Sequence, residues 1–150
     1  MKNIITLLLT LLFLTNCGYT PIYSDKNFDF KIENIVILKN NKLNNKIKKR
    51  LKNFSNQNSQ KIILLEVDAK KIINTLVKDS RGDPSRYEMI IDIKLKASYG
   101  LNKNVNRSFE ERFSYNGNKN KFELKQYEKE IENLLINKNM DRIIVYLSEV

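Results

Sequence analysis

The alternation of apolar and polar residues between Tyr87 and Leu101 constrains the fold of this chain more than any other feature. Every odd position in this segment is apolar or aromatic, whereas most even positions, such as Glu88 and Lys94, are polar or charged. Successive side chains of a β-strand point to opposite faces, so a period of two indicates a strand. The segment is therefore predicted to be a long strand with one buried face and one solvated face.

Two further strands are predicted before this segment. Between Phe28 and Leu38 the apolar parity changes from Ile32 to Ile35, which predicts a strand containing a bulge. Residues 60–77 are apolar and β-branched. They predict either one long strand or two strands interrupted near Ala69 to Lys71.

Turn residues separate the strands. The stretch Ser80 to Ser85 contains Gly82 and Pro84, and this combination predicts a chain reversal. A polar turn is predicted at Asn102 to Asn106, followed by a fourth strand over Phe109 to Tyr115.

Two segments carry helical patterns. Leu43, Ile47, Leu51 and Phe54 recur at helical spacing after Asn40 and Asn41, which can cap a helix. Residues 121–147 are helical in composition, but their apolar stripe shifts along the segment. Either this helix breaks near Asn137 to Asn139 or it is buried on two sides.

The predicted order of elements is thus β-α-β-β-β-α. The simplest arrangement is an α+β two-layer sandwich, with two helices packed on one face of a four-stranded mixed sheet.

The start of the chain has the pattern of an export signal. Lys2 precedes the apolar run Ile4 to Leu14, which is too short to span a membrane and is followed by Cys17. Similarity to the lipobox of bacterial lipoproteins implies that Cys17 is lipidated, although Asn16 departs from the small residue usual there. The alternative is a secretory signal with an incidental cysteine.

These features predict three regions. Residues 1–16 would be the signal peptide, residues 17–27 a lipidated leader, and residues 28–150 a single α+β domain. Several acyl chains hold a protein on a membrane far longer than one chain does. Because Gly18 rather than Asp follows the cysteine, the outer membrane is the expected location.

Composition excludes several classes of enzyme. The sequence has no histidine and no cysteine other than Cys17. Zinc sites built on His or Cys, Ser-His and Cys-His nucleophiles and disulfide frameworks are therefore not expected. No phosphate-binding glycine loop or calcium-loop spacing is present either. We predict a protein that is not an enzyme and that carries no cofactor or metal.

The chain is strongly basic, with 27 Lys and Arg residues against 17 Asp and Glu residues, a net charge of +10. For an exported protein the relevant polyanions are phospholipid headgroups and lipopolysaccharide phosphates rather than nucleic acid. The alternative is a purely compositional bias toward Lys, Asn and Ile.

The segment Cys17-Gly18-Tyr19-Thr20-Pro21-Ile22-Tyr23 resembles the mature start of the lipopolysaccharide-assembly lipoproteins (LptE-like) of alphaproteobacteria. The predicted order of elements, Arg86 at the start of the third strand, Ser114-Tyr115-Asn116 and Asn133-Leu134 also resemble this family. The resemblance covers nearly the whole mature chain.

The resemblance implies an outer-membrane lipoprotein that helps the β-barrel LptD assemble and helps insert lipopolysaccharide into the outer leaflet. Its expected partners are LptD, lipopolysaccharide and the membrane through the lipid anchor. The alternative is a periplasmic binding or adaptor lipoprotein for another envelope protein.

Four cations are candidates for contacts with lipid A phosphates. Arg81 and Arg86 flank the predicted turn, and Lys94 and Lys96 lie on the solvated face of the third strand. Arginine binds phosphate in bidentate geometry. For each residue the alternative is an ordinary solvated side chain.

Overall fold

The computed structural model describes residues 28–100 and 103–150. Cys17, the predicted signal peptide (1–16), the predicted leader (17–27) and Leu101 lie outside the described residues. The elements are β1 (Lys31–Ile37), α1 (Lys42–Lys52), β2 (Ile62–Lys78), β3 (Pro84–Tyr99), β4 (Lys103–Asn116) and α2 (Lys121–Glu149). The predicted α+β fold and its order of elements are confirmed.

The four strands form one sheet in the order β1-β2-β3-β4. β1 runs parallel to β2 because α1 carries the chain back between them, whereas β2, β3 and β4 pair antiparallel. The register of β1 shifts between Ile32 and Asn34. This irregularity lies where the apolar parity changes, so the predicted bulge is confirmed.

Two strands differ in extent from the sequence prediction. β2 is continuous from Ile62 to Lys78, so only the single-strand alternative holds. β4 begins at Lys103, and the prediction of a polar turn reaching Asn106 is wrong. Asn104 and Asn106 pair with Ser98 and Lys96 on the uncovered face of the sheet, where polar side chains remain solvated.

Both helices cover the same face of the sheet. α1 begins after Asn41, whose Oδ1 accepts a hydrogen bond of 2.8 Å from Asn44 N, and it buries Ile47 and Leu51. β2, β3 and β4 contribute odd-numbered residues to the same core, among them Ile63, Leu65, Val67, Met89, Ile91, Ile93, Leu95, Phe109 and Tyr115, and β1 contributes Ile32 and Ile35.

α2 is one unbroken helix, so the alternative of a break near Asn137 to Asn139 is wrong. Its buried residues follow rows with a spacing of four, namely Ile131, Leu135, Asn139, Ile143 and Leu147, with Ile136, Met140 and Ile144 beside them. Four residues advance slightly more than one helical turn, so such a row winds around the helix. The shifting stripe in the sequence reflects this winding.

The hairpin between β2 and β3 closes in a tight turn. Asp79 Oδ1 accepts hydrogen bonds of 2.9 Å from the backbone N–H groups of Arg81 and Asp83. Gly82 has φ of +87°, a conformation that other residues rarely adopt. The turn predicted at Ser80 to Ser85 is therefore confirmed, and it fixes the direction of the side chains at the tip.

Candidate functional site

The face of the sheet that carries no helix, called here the open face, presents charged side chains in facing pairs. Lys96 lies opposite Glu66, with 3.9 Å between Nζ and Oε2, and Lys94 lies opposite Asp68 in register. Opposite charges on neighbouring strands stabilise a sheet modestly. The two lysines predicted to bind anions are thus brought together, but each faces a carboxylate.

A shallow groove of about 400 Å³ lies on the open face around these pairs. Its lining residues are Leu38, Glu66, Asp68, Lys94, Leu95, Lys96, Asn106, Arg107 and Ser108. Within the described part of the chain, the buried atom Asp68 Oδ1 has no hydrogen-bond partner. The groove carries both charges, so it suits a zwitterionic or mixed polar surface better than a simple anion.

An apolar patch adjoins the groove on β1 and β2. Val36, Leu38, Ile62 and Leu64 have between 44% and 58% of their surface exposed. We call these four residues the β1–β2 patch. Apolar surface of this kind, rimmed by charged residues, is typical of a contact site for another protein or a lipid.

The tip of the β2–β3 hairpin carries the two predicted arginines. The Arg81 side chain is 75% exposed, and its guanidinium lies 3.6 Å from Asp79 Oδ2. Arg86 is exposed and makes no ion pair with any residue in 28–100 or 103–150. Arg86 and Lys94 are eight positions apart on β3, about 26 Å along an extended strand. The four predicted residues therefore form two separate groups.

Three further cations lie at the same end of the molecule as Arg81 and Arg86, and the sequence analysis did not associate them with the tip. Lys78 ends β2, and Lys119 and Lys121 lie near the start of α2. Gly117 N donates a 2.8 Å hydrogen bond to Ser85 O, which brings this loop against the base of the hairpin. A Cβ atom at Gly117 would lie 3.2 Å from the Tyr87 ring, so glycine permits this approach.

Other cations have structural roles. Lys46 and Lys71 both bind the carboxylate of Glu132, and Arg142 lies 2.7 Å from Glu111. Arg107 stacks on the Tyr146 ring at 4.9 Å. Part of the net charge thus holds the helices on the sheet, while the cations at the hairpin tip remain accessible.

Tyr99, which is partly buried, and Tyr115, which is buried, are not candidates for acid–base chemistry. Burial, together with the hydrogen bond that the Tyr115 hydroxyl donates to Glu128 Oε1 at 2.7 Å, raises the pKa of Tyr115 far above its ordinary value. Burial and the nearby Tyr146 raise the pKa of Tyr99 to about 12. Both hydroxyls therefore stay protonated under physiological conditions.

Residues 28–100 and 103–150 contain neither a candidate metal site nor a candidate membrane-spanning helix. This part of the chain contains no group of three or more His, Cys, Asp or Glu side chains that could hold a metal ion. None of its helices is both long and apolar enough to cross a membrane.

Solved structures of bacterial lipoproteins share this fold. Rare lipoprotein B from Shewanella oneidensis superposes with a TM-score of 0.57 at 14% identity, over 77% of this chain and 94% of its own. A minor lipoprotein from Acinetobacter baumannii gives a TM-score of 0.58 at 12% identity, over 81% of this chain and 92% of its own.

A third structure, lipoprotein B from Nitrosomonas europaea, gives a TM-score of 0.58 at 13% identity and covers 79% of this chain and 83% of its own. No protein-family model and no curated protein matches the sequence. At these identities the likeness shows a shared fold.

Proposed function

We propose that this protein is a lipid-anchored, non-catalytic subunit of the lipopolysaccharide translocon in the outer membrane, where it supports assembly of LptD. The observation that carries the proposal is the fold shared with bacterial lipoproteins over more than three quarters of the chain. The signal pattern ending at Cys17 supports the anchor independently, because it is a pattern of the sequence and not a property of the fold.

The proposed contact with LptD uses the open face. The β1–β2 patch supplies apolar surface, and the neighbouring pairs Glu66–Lys96 and Asp68–Lys94 supply polar groups of both signs. Protein interfaces typically combine an apolar centre with a polar rim. The inner wall of a barrel is polar and presents side chains in regular rows, so it can pair with the charged rows of this face.

The proposed contact with lipopolysaccharide uses the hairpin tip. Arg81 is exposed in the turn beyond the end of the sheet, and Arg86 is exposed at the third position of β3. Each guanidinium can bind a phosphate through two parallel N–H donors. Lys94 and Lys96 are a weaker proposal for the same role, since Asp68 and Glu66 already lie opposite them. A phosphate at these lysines would be repelled by both carboxylates.

Depletion of the protein from the cells that produce it tests this function. The proposal predicts that correctly assembled LptD and the amount of lipopolysaccharide in the outer leaflet both fall. Normal levels of both after depletion would contradict the proposal. That outcome would favour the alternative of an adaptor lipoprotein with a different envelope partner.

A further inference from the structure

The distal half of β2 has an outer edge that no strand of the described chain covers. β1 ends its pairing at Val67, where Leu38 N donates to Val67 O at 3.1 Å. The next outward N–H, that of Ala69, is bound by the buried side chain of Asn44 at 2.7 Å. β2 continues to Lys78 with β3 on one side only. The covered edge therefore stops at Ala69.

The backbone groups on this edge can be assigned. Along a strand, successive residues direct their N–H and C=O groups to alternate sides. Val67 and Ala69 direct theirs outward, so Lys71, Ile73 and Thr75 do the same. The register irregularity after Thr75 ends this regular stretch. Three residues thus offer three N–H donors and three C=O acceptors, the pattern that another extended strand recognises.

The same segment carries exposed apolar side chains on both faces of β2. Ile72 is 43% exposed and Ile73 is 42% exposed, and they lie on opposite faces of β2. Leu76 and Val77 are also exposed, at 47% and 48%. A long edge with exposed apolar side chains pairs readily with other chains, and natural proteins usually protect such edges.

We propose that the β2 edge, defined as residues 70–75, binds an acidic extended segment of a partner polypeptide by strand addition. Partner backbone groups would pair with Lys71, Ile73 and Thr75. Apolar partner side chains would cover Ile73 on one face, and acidic side chains would lie beside Lys70 on the other face. Strand addition draws its affinity from main-chain hydrogen bonds and its specificity from alternate side chains. This inference does not depend on the proposed role in lipopolysaccharide transport.

The positive charge of this segment indicates that its partner is acidic. Between Ala69 and Lys78 the strand contains Lys70, Lys71 and Lys78 and no carboxylate. Lys71 is bound by Glu132, whereas Lys70 and Lys78 make no ion pair within residues 28–100 and 103–150 and can attract an acidic partner. A second copy of this chain would bring the same lysines and another net charge of +10 to the interface, which opposes self-pairing. A strand that carries Glu or Asp at its solvent-facing positions is attracted instead.

The direct test is amide hydrogen exchange on the purified full chain, with and without a short peptide of alternating Glu and Val residues. In the free protein, the amides of Lys71, Ile73 and Thr75 should exchange quickly, and those of Ile72 and Asn74 slowly. Peptide binding should slow the first three by about tenfold or more. If millimolar peptide left all three amides unprotected, the proposal would be overturned.

The matched variants are Ile73→Pro and Ile73→Thr. Proline removes the outward N–H and blocks an added strand without removing a hydrogen bond to β3, whereas threonine keeps the N–H. Peptide affinity should fall by about tenfold or more with proline but by less than about threefold with threonine. Equal affinities for the two variants would contradict backbone pairing.

Two further readouts complete the test. A peptide N-methylated at the positions that face β2 should not bind the unaltered protein. If Ile73→Pro does not fold, this peptide replaces it as the test of backbone pairing, and binding of the N-methylated peptide would contradict the proposal. Protection of Lys71, Ile73 and Thr75 without peptide, in a protein that sediments as a dimer, would show that a second copy occupies the edge and would overturn the acidic-partner proposal.

Discussion

Glu132 and Lys71 lie 2.9 Å apart, from Oε2 to Nζ, and this ion pair ties α2 to the middle of β2. The other carboxylate oxygen, Oε1, lies 2.9 Å from Lys46 Nζ on α1. A single carboxylate therefore joins three elements that are distant in sequence. The Glu132 side chain is only 19% exposed, which limits screening by solvent.

Replacing Glu132 with Gln should lower the free energy of unfolding by about 1 kcal/mol near neutral pH, because both lysines lose their counterion. Glu110→Gln is the matched control, since within the described residues Glu110 forms an ion pair with Arg112 alone, two residues along the same exposed strand surface. Chemical denaturation of both variants measures the difference. Equal stabilities for the two variants would contradict a structural role for Glu132.

The stabilisation by Glu132 should depend on pH. Burial acts to raise the pKa of Glu132, but the hydrogen bonds and charges of Lys71 and Lys46 outweigh burial and lower the pKa. The pKa of Glu132 is thus lower in the folded protein than in the unfolded chain. The ionised carboxylate therefore stabilises the fold at pH values above the ordinary glutamate pKa, and this stabilisation is lost as the pH falls through the lowered value. The stability difference between wild type and Glu132→Gln should therefore shrink in acid and stay constant from mildly acidic to neutral pH.

Ile93 and Lys94 are neighbours on β3 that point to opposite faces. Ile93 is fully buried under α2, so Ile93→Asp should destabilise the domain by about 4 kcal/mol or more and prevent folding. Lys94→Asp places a second carboxylate opposite Asp68 on the open face and should cost about 1 kcal/mol. Thermal unfolding distinguishes them, and similar shifts would show that the two faces have been misassigned.

The buried side-chain amide of Asn44 occupies the edge of β2 just beyond the end of β1. Its Oδ1 accepts from Ala69 N at 2.7 Å, and its Nδ2 donates to Lys39 O at 2.9 Å. Asn44→Ala would leave both backbone groups without these partners and should cost about 2 kcal/mol in unfolding free energy. Asn45→Ala, which removes only an exposed hydrogen bond to Asn40, should leave stability nearly unchanged.

Local patterns predicted most of the fold. The parity change at Ile32, the stripe through Ile47 and Leu51 and the alternation in β3 depend on neighbouring residues, so they were visible in the sequence. The start of β4 was not, because Asn104 and Asn106 lie on the open face and carry no apolar signal. The burial of Asn44 could not be predicted, since its partner Ala69 belongs to another element.

The candidate site was predicted only in part. The turn composition identified Arg81 and Arg86 as residues at a hairpin tip, and the parity placed Lys94 and Lys96 on the solvated face. The carboxylates opposite these lysines depend on the register between β2 and β3, which no local pattern specifies. The accessible tip therefore became the stronger candidate only with the structure.

Replacing both Arg81 and Arg86 with Glu should weaken binding of purified lipopolysaccharide by about tenfold or more, because exposed bidentate contacts to phosphate are replaced by repulsion. Wild-type affinity should fall as ionic strength rises, and the affinity of the double variant should fall less. Lys48→Glu with Lys49→Glu on α1 is the charge-matched control. An unchanged affinity and salt dependence in the Arg81 and Arg86 variant would assign lipopolysaccharide binding to another surface.

We propose that this protein belongs to the lipopolysaccharide translocon, and purification from outer membranes is a direct test of this proposal. The affinity-tagged protein, extracted in mild detergent and analysed by mass spectrometry, should carry LptD in near-stoichiometric amount. The Cys17→Ser protein should be absent from the membrane fraction or remain unprocessed there. Recovery of the lipidated protein without LptD, alone or with a different envelope protein, would contradict its membership of the translocon.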